Sequence, residues 1–247
     1  MHNINSKKLL FDILFYNISI YIMAPLLFLL LSCLPKQHMI QSHSSISIAE
    51  IGIVCTSREQ KDCKVFTSTN KGSATRIKWN NNYYWLTAAH VCNAKTSVQN
   101  SFLLSKIVIV DVGGTGERNT ASKMIFDEEK DLCLLEANKG PARQIAKHIP
   151  SNGDKITAIA YPGGAYGKDM YPIYEGRWAG KIENKCLSTI PVAGGSSGAS
   201  IINKNEEVVA VISSVMQNFN HFTISTCLPE IKEFLEQATE PSPVQEQ

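Results

Sequence analysis

The sequence has no excess of charge of either sign: 24 Lys and Arg stand against 22 Asp and Glu, a net of +2. That balance argues against nucleic acid as a partner, since a surface that binds phosphates needs a strong cationic excess. No two cysteines are spaced as CxxC, so a structural zinc site is not expected. No metal or other cofactor is expected. There is no internal repeat, and 247 residues leave no room for a second large domain beside a targeting segment. A chain of this length can still bury a substantial core without a metal or a disulfide framework.

Seven cysteines are present: Cys33, Cys55, Cys63, Cys92, Cys133, Cys186 and Cys227. If Cys33 belongs to the leader, six remain, a number compatible with disulfides in an oxidising compartment. Cys92 and Cys133 sit in the apolar contexts AAHVC and DLCLLE, which also suit plain core positions.

The chain opens with a polar, Lys-ended stretch, MHNINSKK, and then runs overwhelmingly apolar from Leu9 to Leu34, interrupted by Asp12 and Asn17. A basic flank before such a run fits a signal peptide or a membrane anchor over residues 1–34. The four residues ending in Cys33 (LLSC) resemble a bacterial lipobox, which makes Cys33 a candidate for lipidation. Residues 35–47 are polar and Ser-rich and read as a linker, and residues 239–247 read as a disordered tail. The expected location is membrane-associated or secreted, with the membrane engaged through this first segment.

Residues 48–238 carry short runs rich in β-branched and aromatic residues, among them 50–56, 74–79, 83–88, 106–112, 155–161, 206–215 and 221–226. Turn residues separate them, such as Asn80-Asn81-Asn82 and Pro162-Gly163-Gly164. This punctuation predicts an all-β domain. One helix is predicted over 229–238, where Ile231, Phe234 and Leu235 form an apolar stripe behind Pro229.

Three motifs follow one another: WLTAAHVC with His90, EKDLCLLE with Asp131, and GGSSGAS with Ser197. Each alone is weak, since a His beside a strand, an Asp in a turn and a Gly/Ser loop are all common. In this order they resemble the trypsin-like serine peptidases of bacterial and viral type. GSATRI (72–77), SNGDKITAIAYPGG (151–164) and the run 194–214 are similar to further stretches of that family. The resemblance implies a chymotrypsin-like fold of two six-stranded antiparallel β-barrels with the site between them. It implies hydrolysis of peptide bonds in a protein or peptide substrate. Ser197 would be the nucleophile, His90 the general base and Asp131 the residue that orients the imidazole. The backbone amides of Gly195 and Ser197 would form the oxyanion hole.

Departures are visible. Ala199 and Ser200 replace a Gly and a Pro of the family pattern. Ser196 stands where trypsin has an Asp, so activation by insertion of a new N-terminus is not expected. The family's pocket positions fall on Pro191, Val215 and His221. No carboxylate is there to receive Arg or Lys, and the side chains of Val215 and His221 would fill the pocket. Small residues before the scissile bond are therefore expected, or Gln and Glu if His221 points inward. The rival reading is a catalytically inactive scaffold of the same fold at a membrane. An α/β-hydrolase is disfavoured, because there the Ser precedes the His.

Overall fold

The computed structural model describes residues 41–55, 63–93, 101–113, 115–121, 123–165, 167, 170, 172–216 and 219–240. These belong to one compact unit, Ile40–Gln247. The leader with Cys33, residues 35–40 of the linker and residues 241–247 of the tail lie outside the described residues. Among those described, no helix is long and apolar enough to cross a membrane.

The first half builds a sheet from β1 (His43–Cys55), β2 (Cys63–Trp79), β3 (Asn82–Thr87), β4 (Ser101–Val112), β5 (Arg118–Ala121), β6 (Met124–Asp127) and β7 (Leu132–Glu136). A four-residue helix, α1 (Ala89–Cys92), follows β3. The strands lie in the order β5-β4-β1-β2-β3-β7-β6. β2 and β3 are joined by a two-residue turn in which Asn80 and Asn81 both have positive φ, 47° and 64°. Asn tolerates that region, and it matches the twist of a tight hairpin.

The second half closes a six-stranded barrel, in the order β10-β13-β12-β11-β8-β9. Its strands are β8 (Lys155–Ile159), β9 (Ile173–Ile182), β10 (Lys185–Ser188), β11 (Ser200–Ile202), β12 (Val208–Met216) and β13 (Phe219–Cys227). Helix α2 (Leu228–Thr239) follows, with Pro229 in its first turn, and packs Leu228, Ile231, Phe234 and Leu235 inward. Its apolar stripe is the expected one, and the helix is a residue longer at each end.

The expectation of two six-stranded barrels holds for the second half and needs correction for the first. There the sheet has seven strands and is not closed by hydrogen bonds among the described residues. Its two edge strands, β5 and β6, are consecutive and are separated only by residues 122–123. β5 pairs with β4, and β6 pairs with β7. A single closing strand is thus broken in two, and each four-residue half is held by a different neighbour.

Residues 43–47, expected as the end of the polar linker, belong to a strand instead. β1 starts at His43, and His43, Ser44, Ser45 and Ile46 are all buried. Small Ser side chains fit beneath neighbouring strands, which hid the first part of β1 inside a polar run; its end falls in the expected run 50–56. Strand β9 was hidden for the opposite reason. Its sequence IYEGRWAGKI buries only Trp178 fully, so it offers little apolar pattern.

Each half has its own core. Ile46, Ile48, Trp85, Val108 and Leu135 are among the residues that fill the sheet. Ile156, Trp178, Ile190, Ile201 and Val209 are among those that fill the barrel. Each such aliphatic or aromatic side chain contributes about 1.5–3 kcal/mol by leaving water. Between the halves, Arg143 bridges to Ile77 of β2 and Ile145 bridges to Val208 of β12. The buried Arg143 guanidinium is neutralised by Glu206 at 2.7 Å.

Candidate active site

α1 buries Ala89, Val91 and Cys92, and leaves His90 on the open side with its side chain 49 % exposed. Asn70 of β2 donates to the carbonyls of His90 and Val91, at 3.0 and 3.1 Å, and so satisfies carbonyls that the short helix leaves open. Asp131 ends the turn before β7 with φ +55°, a conformation that Asp tolerates better than most residues. Thr226 of β13 donates to the Lys130 carbonyl at 2.7 Å and ties that turn to the barrel. A disulfide between Cys92 and Cys133 joins α1 to β7. The cysteines left open as plain core residues are therefore both buried and bonded.

These elements bring His90 and Asp131 together. The His90 Nδ1 lies 2.9 and 3.0 Å from the two carboxylate oxygens. The His90 backbone N–H donates to Oδ1 at 3.0 Å. Ser213 of β12 donates its hydroxyl to Oδ2. Burial pushes the Asp131 carboxyl up. Hydrogen bonds from the His90 ring, the Ser213 hydroxyl and the His90 backbone outweigh that and hold it below its ordinary value. The carboxylate is thus charged and saturated with donors. That arrangement favours the His tautomer with its proton on Nδ1, leaving Nε2 free to accept one.

Ser197 sits in the loop between β10 and β11. Its hydroxyl donates to the Ser213 carbonyl at 3.2 Å, and no hydrogen bond joins it to His90 among the described residues. Ser213 therefore meets both Asp131 and Ser197. The run 206–215 predicts the strand that carries Ser213 but assigns that residue no role. The signal was there: a polar residue directly after the buried run Val208 to Ile212.

Gly195 has φ +92°, and a Cβ there would lie 2.4 Å from the Gly163 nitrogen. Only Gly fits this backbone and this approach. The Gly194 carbonyl accepts from the Gly163 N–H at 2.7 Å, and Ser196 N–H turns back to the Ala193 carbonyl at 3.0 Å. Among the described residues, the N–H groups of Gly195 and Ser197 have no protein acceptor. Unengaged amides on a loop of this kind can receive a developing oxyanion.

The three expected pocket residues are less closely joined. Pro191 is exposed between β10 and β11, Val215 is half-buried late in β12, and His221 is exposed early in β13. No hydrogen bond links them among the described residues.

An open β-sheet and a closed β-barrel, with a His–Asp pair from one and a Ser loop from the other, define a chymotrypsin-like architecture. The trypsin-like peptidase domain matches residues 72–211, and the chain belongs to that family. It is similar in structure to the Rv3671c protease of M. tuberculosis in its active form, at 17 % identity and a TM-score of 0.59. That likeness covers 83 % of this chain and 84 % of that one. It is also similar to the serine endoprotease from Yersinia pestis, at 16 % identity and a TM-score of 0.57, covering 81 % of this chain and 65 % of that one. No curated protein matches the sequence.

Proposed function

We propose that this chain is a serine endopeptidase that works through an acyl-enzyme. The observation that carries the reading is the Asp131 carboxylate, which holds His90 by ring and backbone and meets Ser213, whose carbonyl in turn receives the Ser197 hydroxyl. In the reaction, Ser197 turns about its Cα–Cβ bond from that carbonyl towards His90. Its oxygen attacks the scissile carbonyl while its proton passes to His90 Nε2. The imidazolium is stabilised by Asp131. The oxyanion is received by the N–H groups of Gly195 and Ser197, each worth about 3 kcal/mol in comparable sites. The C–N bond then breaks, and His90 returns the proton to the leaving amine. A water, deprotonated by His90, cleaves the remaining ester and restores Ser197.

Small residues before the scissile bond suit a pocket whose walls include Val215 and His221, with Pro191 at its base in place of a carboxylate. The apolar leader would place the domain at a membrane or outside the cytoplasm, with Cys33 as the point of lipid attachment. The disulfides Cys92–Cys133 and Cys186–Cys227 support an oxidising compartment.

The test is labelling of the full-length protein by a fluorophosphonate, which reacts only with an activated Ser, alongside hydrolysis of a peptide library. Label on wild type, none on Ser197→Ala and little change in Ser196→Ala is the expected pattern. An unlabelled wild type, or label that survives Ser197→Ala, would overturn the reading.

A further inference from the structure

An oxyanion hole needs two N–H groups aimed at one point, so the peptide planes that carry them must be fixed. Gly195 N–H belongs to the 194–195 peptide, and that plane is held from its other end by Gly163 N–H on the Gly194 carbonyl, at 2.7 Å. Ser197 N–H belongs to the 196–197 peptide. The planes on either side of it, 195–196 and 197–198, end in the carbonyls of Gly195 and Ser197. Both carbonyls are held by one residue of the other half of the fold, Ser73 in β2. Its hydroxyl donates to the Gly195 carbonyl at 2.9 Å, and its N–H donates to the Ser197 carbonyl at 2.8 Å.

Ser73 is itself immobilised. It is fully buried. Its carbonyl accepts the Thr87 hydroxyl at 2.7 Å, and its own hydroxyl accepts the Tyr161 N–H at 2.8 Å. Tyr161 and Gly163 lie in one turn, so the hold on Gly194 and the hold on Gly195 are tied to each other through the Ser73 oxygen. A short hydroxyl is a side chain that can donate to a carbonyl and accept from an N–H at once.

We infer that Ser73 is a positioning residue: its hydroxyl holds the peptide planes of the nucleophile loop so that the Gly195 and Ser197 amides converge on the oxyanion. The inference rests on the peptidase reading above and adds a residue that touches no reacting atom.

Replacing Ser73 by Ala removes only the hydroxyl and keeps the N–H on Ser197. In full-length protein, Ser73→Ala is expected to lower kcat by about 10–100-fold, somewhat less than the loss of an oxyanion donor itself. KM should move less than about threefold, because substrate contacts are untouched. The inhibition constant of a peptidyl trifluoromethyl ketone, whose adduct carries the oxyanion, should rise by the same factor as kcat/KM falls. Ser73→Cys, near in size and a weaker donor, should fall between wild type and Ala, and it is read in the same way if the Ala variant fails to fold. Retained kcat, or a loss confined to KM, or unchanged ketone affinity, would overturn the inference. A second arm needs no turnover. Amide hydrogen exchange should quicken at Tyr161, Gly163 and Ser196 in Ser73→Ala and stay unchanged in β9. Unchanged exchange at those three amides also overturns it. Failure of the peptidase reading appears separately, as an unlabelled wild type.

Discussion

The two halves of the molecule solve the same problem differently. The barrel closes on itself; of its residues at the site, Ser213 sits at a break of register in β12, and Gly195 and Ser197 lie in the loop that leads into β11. The first sheet leaves its closing strand in two pieces, and its contributions, His90 and Asp131, come from a four-residue helix and a turn outside the ladder. Each half has a disulfide spanning 41 residues. In the barrel, Cys186–Cys227 joins β10 and β13, which are already paired. In the sheet, Cys92–Cys133 joins α1 to β7, which no ladder connects. Equal loop lengths imply a similar chain-entropy contribution, about 2–4 kcal/mol each. What differs is what each bond aligns. The bond in the open half ties two elements that no strand pairing joins, whereas the bond in the closed half spans two strands that are already paired.

The sharpest challenge to this comparison is Asp131→Asn. An amide would accept from His90 less well and would favour the wrong imidazole tautomer. A loss of about 10⁴-fold in kcat near neutral pH is expected, with circular dichroism unchanged. A loss below about tenfold would separate the His90–Asp131 pair from the chemistry.

The disulfides allow a matched contrast. Cys92→Ala/Cys133→Ala should lower both the melting temperature and, by about tenfold or more, kcat. Cys186→Ala/Cys227→Ala should lower the melting temperature to a similar degree and leave kcat within about twofold, since the ladder still aligns its strands. Equal effects on kcat would mean that the tie between α1 and β7 has no special part in alignment.

A smaller effect is expected at Ser213→Ala. Loss of one donor to Asp131 leaves the His90 ring and backbone bonds in place. Asp131 is held below its ordinary value partly by that donor, so its removal should raise the carboxyl pKa. A depressed carboxyl stabilises the fold above its unfolded pKa of about 4, and that contribution is lost as pH falls through the folded value. Acid unfolding of Ser213→Ala should therefore begin at higher pH than that of wild type.

The smallest expected effect lies at His43, fully buried at the start of β1 with Nδ1 3.1 Å from the Thr75 hydroxyl. Burial, and then the charge of Arg143, lower its pKa well below the ordinary value. Below about pH 6.5 the unfolded chain gains a proton that the folded one does not, so stability falls with pH by up to about 1.4 kcal/mol per unit. His43→Asn should flatten urea-derived stability between about pH 6.5 and 5. An unchanged slope would assign the acid sensitivity elsewhere.

Much of this was legible locally. The Asn80-Asn81 turn, the stripe Ile231, Phe234, Leu235, and the β-branched and aromatic runs of β3, β8 and β12 were written in residue type and spacing. So were the motifs that carry His90, Asp131 and Ser197 and the family to which they belong. The start of β1 was obscured by its serines, β9 by its polarity, and β5 and β6 by their length of four residues each. The pocket positions Pro191, Val215 and His221 rest on the family resemblance, because sequence spacing does not encode which way their side chains face.

By itself, the amino-acid sequence determined the all-β class, the C-terminal helix and the order of the three chemical motifs, because periodicity and side-chain chemistry are properties of neighbours in the chain. Only the tertiary structure decided that the first sheet stays open, that Cys92 meets Cys133, that Ser213 faces both Asp131 and Ser197, and that Ser73 grips the loop from 122 residues away. Those are contacts between distant segments. Their partners are chosen by strand register and by the packing of one half against the other, and no local pattern encodes either.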